Sequence, residues 1–145
     1  MINIKAPNSI NNALRPMYYI SKDGTWPDGE DRVLEALRGK TGSILLPEGD
    51  MQWRHHASWA ADTLIFWFAK GDADQGGKLL ELGIHVGRYV AGFGANKMII
   101  GAHEKFAGIE NLRKTLDAAN TALHGKWRFR VITNFQEFIR QVQAS

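Results

Sequence analysis

The chain has 145 residues, 44% of them apolar and 10% aromatic, which suits one domain with a buried core. It contains no cysteine. Disulfides, thiolate nucleophiles and thiolate metal sites are therefore excluded, and a reducing, cytoplasmic setting is the expectation. Its 18 Lys and Arg and 15 Asp and Glu are spread along the sequence without a basic block, so nucleic acid is not an expected partner. Neither is a membrane: no apolar run reaches the roughly 18 residues of a span, and the opening MINIKAPNSINNALRP lacks the basic-then-apolar order of a secretory signal.

Short apolar runs alternate with stretches of helical period, the signature of an α/β domain built on a parallel sheet with helices on both faces. Strands are expected at Ile2 to Ala6, Met17 to Ser21, Ser43 to Leu46, Thr63 to Phe68, Met98 to Gly101 and Phe129 to Ile132. The fourth, TLIFWF, is unbroken in its β-branched and aromatic residues, as a central strand buried on both faces should be. Helices are expected at Asp31 to Arg38, Arg54 to Ala61, Lys78 to Tyr89, Ile109 to Leu123 and Asn134 to Gln143. The last opens on Thr133 or Asn134 as a cap, and its Phe135, Phe138, Ile139 and Val142 form a packing stripe. Glycine and proline gather in the loops SKDGTWPDG, GDADQGG and GFGAN.

Right-handed crossovers bring the loops that follow parallel strands to one edge of the sheet, where ligands of such folds bind. That edge would collect Ser21, Lys22 and Asp23, then Glu48 and Asp50, then Asp72, Asp74 and Gln75, then His103 and Glu104. The segment from Trp53 to Gly83 carries the strongest signal: a short helix ending at Asp62, the central strand, an acidic glycine-rich loop, and a helix with Glu81 in its first turns. A carboxylate there feels the positive end of the helix dipole, which favours its ionised, nucleophilic form. Such a group can attack an anomeric carbon in the retaining manner, through a covalent glycosyl intermediate. Gly76 and Gly77 would let the backbone approach a sugar without a Cβ in the way.

The arrangement of Trp53 nine residues before Asp62, then TLIFWF, a variable loop and ELG resembles the nucleoside 2-deoxyribosyltransferase-like family. The likeness extends outward through APNSI, MYYISKDGTWPDG, SILLPE and MIIGA, over roughly residues 2 to 112. It implies a flavodoxin-like doubly wound sheet of about five strands, a homodimer or higher homo-oligomer, and cleavage of the bond between a nucleobase and 2-deoxyribose with Glu81 as nucleophile. Asp62 and Asp74 join Glu81 as candidate catalytic carboxylates. Ser21, Asp23, Trp53, Arg54, Gln75 and Gly77 are the candidate contacts of a nucleoside or nucleotide. The chain departs from the family's pattern at three places. Arg54 stands where family members carry an acid after the Trp, Gln75 stands six residues before Glu81 where the transferases carry an Asp, and SKDGTW replaces a small glycine- and proline-containing turn. A guanidinium at position 54 could pair with a phosphate or a carboxylate.

Among the remaining residues, His85 lies one helical turn after Glu81 and reads as a packed histidine or a partner of the carboxylate. His55 and His56 are adjacent and lack metal-ligand spacing, and GFG does not complete a dinucleotide fingerprint, so neither a metal nor a cofactor is expected. Trp67 reads as core, and Trp26 and Trp53 as possible stacking surfaces for a base. Transfer of the sugar to a second base, its hydrolysis by water, and nucleotide binding without turnover all remain open at the level of sequence.

Overall fold

The structure is a computed structural model that describes residues 2–5, 13–21, 31–46, 51–71, 77–93, 97–124 and 129–145. Six strands, β1 (Ile2–Lys5), β2 (Met17–Ile20), β3 (Gly42–Leu45), β4 (Thr63–Phe68), β5 (Lys97–Ala102) and β6 (Val131–Ile132), form one sheet in the order β1-β3-β2-β4-β5-β6. Every pairing is parallel. Five helices accompany them: α1 (Asp31–Leu37), α2 (Met51–Ala60), α3 (Lys78–Val90), α4 (Ile109–Ala122) and α5 (Phe135–Gln143). From β2 onward, the order β3-β2-β4-β5-β6 is the doubly wound order of flavodoxin-like α/β folds. The sheet has the six strands read from the sequence, one more than the five or so the resemblance implies, with β1 on the outer edge beside β3.

The period of two along each strand divides the core into two layers. Tyr19, Leu64, Phe66, Phe68 and Ile100 face the layer closed by Trp53 and Ala57 of α2, Leu82 and Val86 of α3, and Leu112 and Leu116 of α4. Tyr18, Ile20, Ile65, Trp67 and Ile99 face the layer closed by Val33 and Leu37 of α1 and Phe138, Ile139 and Val142 of α5. All six residues of β4 are buried, as its composition requires for a strand covered on both faces. Trp67 reaches α5 because Gly101 on the neighbouring strand has no side chain: a Cβ there would run into the rings of Trp67 and Phe138.

The helix boundaries follow local chemistry. The Asn134 side chain accepts the Glu137 amide at 3.0 Å and caps α5, as its sequence indicates. Gly77 begins α3 at φ 78°, a left-handed conformation that disfavours a side chain. No helix among the described residues is long and apolar enough to cross a membrane.

Candidate functional site

In a doubly wound sheet the chain leaves neighbouring strands in opposite directions at one point, and a crevice opens at their C-terminal ends. Here that point lies between β2 and β4, which pair through Tyr18 with Thr63, Tyr19 with Leu64 and Ile20 with Ile65. Ser21 continues the pairing, its amide donating to the Ile65 carbonyl at 3.0 Å. It is fully buried, and its Oγ has no hydrogen-bond partner among the described residues. A desolvated hydroxyl at the floor of such a crevice is a group in want of an acceptor or donor.

The first turns of α2 and α3 stand over this edge on the Tyr19 side of the sheet. Arg54 and Glu81 approach across the gap between the two helices, Nη2 to Oε2, at 3.5 Å. Both side chains are close to nine-tenths buried, at 11% and 13% exposure. The pair is weakly solvated, so its Coulomb attraction is little screened, and removing either partner would leave the other buried charge less compensated. Tyr19 is fully buried beneath, and its hydroxyl, which has no hydrogen-bond partner among the described residues, feels the charges of both groups. Burial pushes the ionisation of that hydroxyl well above the usual tyrosine range; the Glu81 carboxylate adds to the effect and the Arg54 guanidinium opposes it. The hydroxyl therefore stays protonated and can donate to the carboxylate.

The start of α3 is anchored by Lys78, whose side chain is fully buried. Its Nζ donates to the Trp67 carbonyl of β4 at 2.7 Å and lies 5.6 Å from the centre of the Phe68 ring. The ammonium ties the helix carrying Glu81 to the C-terminal end of the central strand. Gly77 precedes it; its carbonyl accepts the Glu81 amide at 3.0 Å, and the space where its side chain would be is open.

One turn beyond Glu81, His85 is 2% exposed, and its Nδ1 has no partner among the described residues. Burial lowers its pKa to about 4, with Arg88 and His55 adding to the shift. It is a neutral, packed imidazole at neutral pH, in keeping with the first of the two sequence readings.

Of the expected residues, the structure pairs Arg54 with Glu81, seats Gly77 at the head of the same helix and places buried Ser21 at the end of β2, and Tyr19 and Lys78 stand beside them on β2 and α3. Asp62 is not part of the group. It precedes β4 and so lies at the opposite edge, a six-residue strand away, roughly 20 Å. Its Oδ2 accepts the Met17 amide at 2.7 Å and its Oδ1 meets Arg15 at 2.6 Å, a clasp holding the starts of β2 and β4 together. Trp53 offers no open face for a base: it is 8% exposed within the core, its indole N–H donating to the Leu46 carbonyl at 3.0 Å. His103 closes its own turn, with Nδ1 accepting the Lys105 amide. Lys22, Asp23, Trp26, Glu48, Asp50, Asp72, Asp74, Gln75 and Gly76 lie outside the described residues.

Two signals pointed to the residues that sequence reading passed over. Tyr19 is two positions before Ser21 on the same strand and therefore shares its face. Lys78 heads the buried stripe Leu82, His85 and Val86 of α3, so helical period alone places it inward.

Comparison of the chain with protein-family models, with curated proteins and with solved structures returns no match. Among the described residues, no group of three or more His, Asp or Glu is placed to hold a metal ion. The chemistry open to the site is that of one shielded carboxylate, a guanidinium, a phenol and a buried hydroxyl at the C-terminal edge of the sheet.

Proposed function

We propose that this chain is a nucleoside or nucleotide 2-deoxyribosyltransferase-like enzyme that works through a covalent glycosyl intermediate on Glu81. The observation that carries the reading is the setting of Glu81. It is a nearly buried carboxylate in the first turn of α3, at the sheet edge where β2 and β4 diverge, beside Arg54 and within the electrostatic reach of the Tyr19 hydroxyl. Two helix N-termini converge there, which favours the anion, and the Arg54 guanidinium meets one of its oxygens at 3.5 Å.

In this reading the Glu81 carboxylate forms a bond to C1′ of a 2′-deoxyribosyl compound while the C1′–N bond breaks. The electron pair of that bond leaves with the base, which takes up a proton. The glycosyl ester is then opened at C1′ by a second base, giving a new nucleoside, or by water, giving free sugar, and the carboxylate returns. The buried Ser21 hydroxyl suits a contact with a sugar oxygen. The expected substrate is a small nucleoside or nucleotide, and the expected assembly a homodimer or higher homo-oligomer.

The test uses the purified protein and its Glu81→Gln variant with a panel of deoxynucleosides and deoxynucleoside monophosphates, with and without an acceptor base. Base exchange in the wild type alone supports the transferase, and release of free sugar supports the hydrolase. Trapped glycosyl-protein of the mass of one deoxyribosyl group would identify the intermediate. Silence across the panel from a folded protein sinks both enzyme readings.

One observation favours a second reading, a nucleotide-binding module without turnover: the nucleophile candidate is already paired with Arg54. A binder of that kind would show ligand-dependent stabilisation with no product.

A further inference from the structure

The outward faces of the helices differ in kind. Those of α4 and α5 are charged and polar, with Glu110, Arg113, Lys114 and Asp117 exposed on the first and Gln136 and Arg140 on the second. Every exposed residue of α3 is apolar or glycine: Leu80, Gly83, Ile84 and Gly87. The chain continues in the same way beyond the helix, through exposed Ala91, Gly92 and Phe93. We propose that the outer faces of α2 and α3 form a two-fold interface on which a second copy of this chain docks, α3 against α3. This gives a surface to the assembly expected above and does not depend on the chemistry assigned to Glu81.

The two helices run side by side in the same direction. Arg54 meets Glu81 near their starts, and the Arg88 guanidinium lies 3.7 Å from the centre of the Trp59 ring near their ends. Leu80 and Ile84 precede Arg88 at helical spacing, so the three share one ridge of α3, alongside Trp59 and the His55 ring that packs on it. The exposed residues of α2, Gln52, His55, His56 and Trp59, line a shallow hollow of about 540 Å³. One face thus holds a hollow and also the projecting side chains of Leu80, 72% exposed, and Phe93, 79% exposed. A contact between two identical patches has to be self-complementary in this sense.

A helix that is apolar on its outer as well as its inner face is one that is covered on both. Leu80, Ile84, Trp59 and Phe93 together expose on the order of 450 Å². That is more than half of the roughly 800 Å² that each partner contributes to a stable dimer, and the glycines, Ala91 and the α2 side chains among them add to it. No Asp, Glu or Lys is exposed on either helix, and Arg88 at the margin lies over Trp59. Two identical faces therefore meet without opposed like charges, whereas a partner of strong charge would find nothing to pair with. Gly83 and Gly87 point the same way. Glycine weakens a helix interior, and a Cβ at either position would meet nothing within 4 Å. Packing inside one copy does not call for these glycines; a second helix crossing close over the ridge does.

The test is the mass of the full chain in solution, by light scattering and sedimentation, for the wild type, Leu80→Glu, Gly87→Leu and Lys114→Glu, the last on the polar face of α4. The wild type should be a dimer at about 10 µM. Leu80→Glu would bury an unpaired carboxylate in the contact and should raise the dissociation constant at least about hundredfold. Gly87→Leu, whose side chain has open space in a single copy, should do likewise. Lys114→Glu should leave the mass unchanged. Leu80 is so exposed that its variant keeps the fold, which circular dichroism checks. A wild type that is monomeric at about 100 µM would overturn the proposal. So would a dimer that withstands either α3 variant, or one that Lys114→Glu dissociates as well. Turnover is not read, so silence of the nucleoside panel leaves the result as it stands.

Discussion

Arg54 and Glu81 stand 27 residues apart in the chain and meet at 3.5 Å between the first turns of α2 and α3, each close to nine-tenths buried. The pair couples the candidate nucleophile of the proposed reading to a guanidinium on the neighbouring helix. Arg54→Met strands a shielded carboxylate and should cost about 3 kcal/mol, whereas adding Glu81→Gln to it should recover most of that loss. Urea denaturation of the two single variants and the double variant measures the coupling. A coupling energy near zero would mean that the contact contributes nothing in solution. On the proposed glycosyl-transfer reading, Glu81→Gln alone should abolish turnover while leaving nucleoside binding within roughly tenfold of wild type.

Lys78 ties α3 to the central strand through a charge-assisted bond to the Trp67 carbonyl. Lys78→Met preserves the buried stem but removes the donor, and should cost about 1 to 3 kcal/mol; Lys78→Ala, which also opens a cavity, should cost more. Thermal and urea melts of both variants provide the check. Equal stability of wild type and Lys78→Met would show that the ammonium is dispensable.

His85 gives stability a pH dependence of known sign. The folded chain holds the imidazole neutral down to about pH 4, while the unfolded chain binds a proton below its ordinary pKa of 6.5. The folded pKa is depressed, so the contribution is fully present above about pH 6.5 and falls away as pH drops toward 4, amounting to about 3 kcal/mol at most. Denaturation curves between pH 7 and about pH 4.5 should show the loss in the wild type, and His85→Leu should flatten it. An unchanged slope in that variant would assign the titration elsewhere.

Asp62 clasps the starts of β2 and β4 far from Glu81. Asp62→Ala should therefore destabilise the fold by about 1 to 3 kcal/mol while leaving kcat/KM within roughly twofold of wild type at temperatures where it is folded. A large fall in kcat with stability intact would place Asp62 back among the catalytic groups.

Much of the architecture was legible in the residues. The apolar run TLIFWF, buried at every position, marked the central strand, and Asn134 with Glu137 marked the start of α5. Periodicity reports burial along one element, and both features are local to one. Local pattern also placed two residues of the candidate site: the first turn of the helix after a glycine-rich loop holds Glu81, and the end of the second strand holds buried Ser21.

What sequence alone determined, then, was the order and type of elements and the edge to which their loops run, because these follow from pattern and from the handedness of the crossovers. Only the tertiary structure decided which side chains share that edge. Asp62 and Glu81 flank the same strand in sequence, yet the length of β4 holds them at opposite ends. Arg54 found its anion in Glu81 because α2 and α3 lie side by side, and Tyr19 and Lys78 joined the group because their long side chains reach from buried positions on two different elements. Contacts of this kind depend on the distance between elements, which no single stretch of sequence encodes.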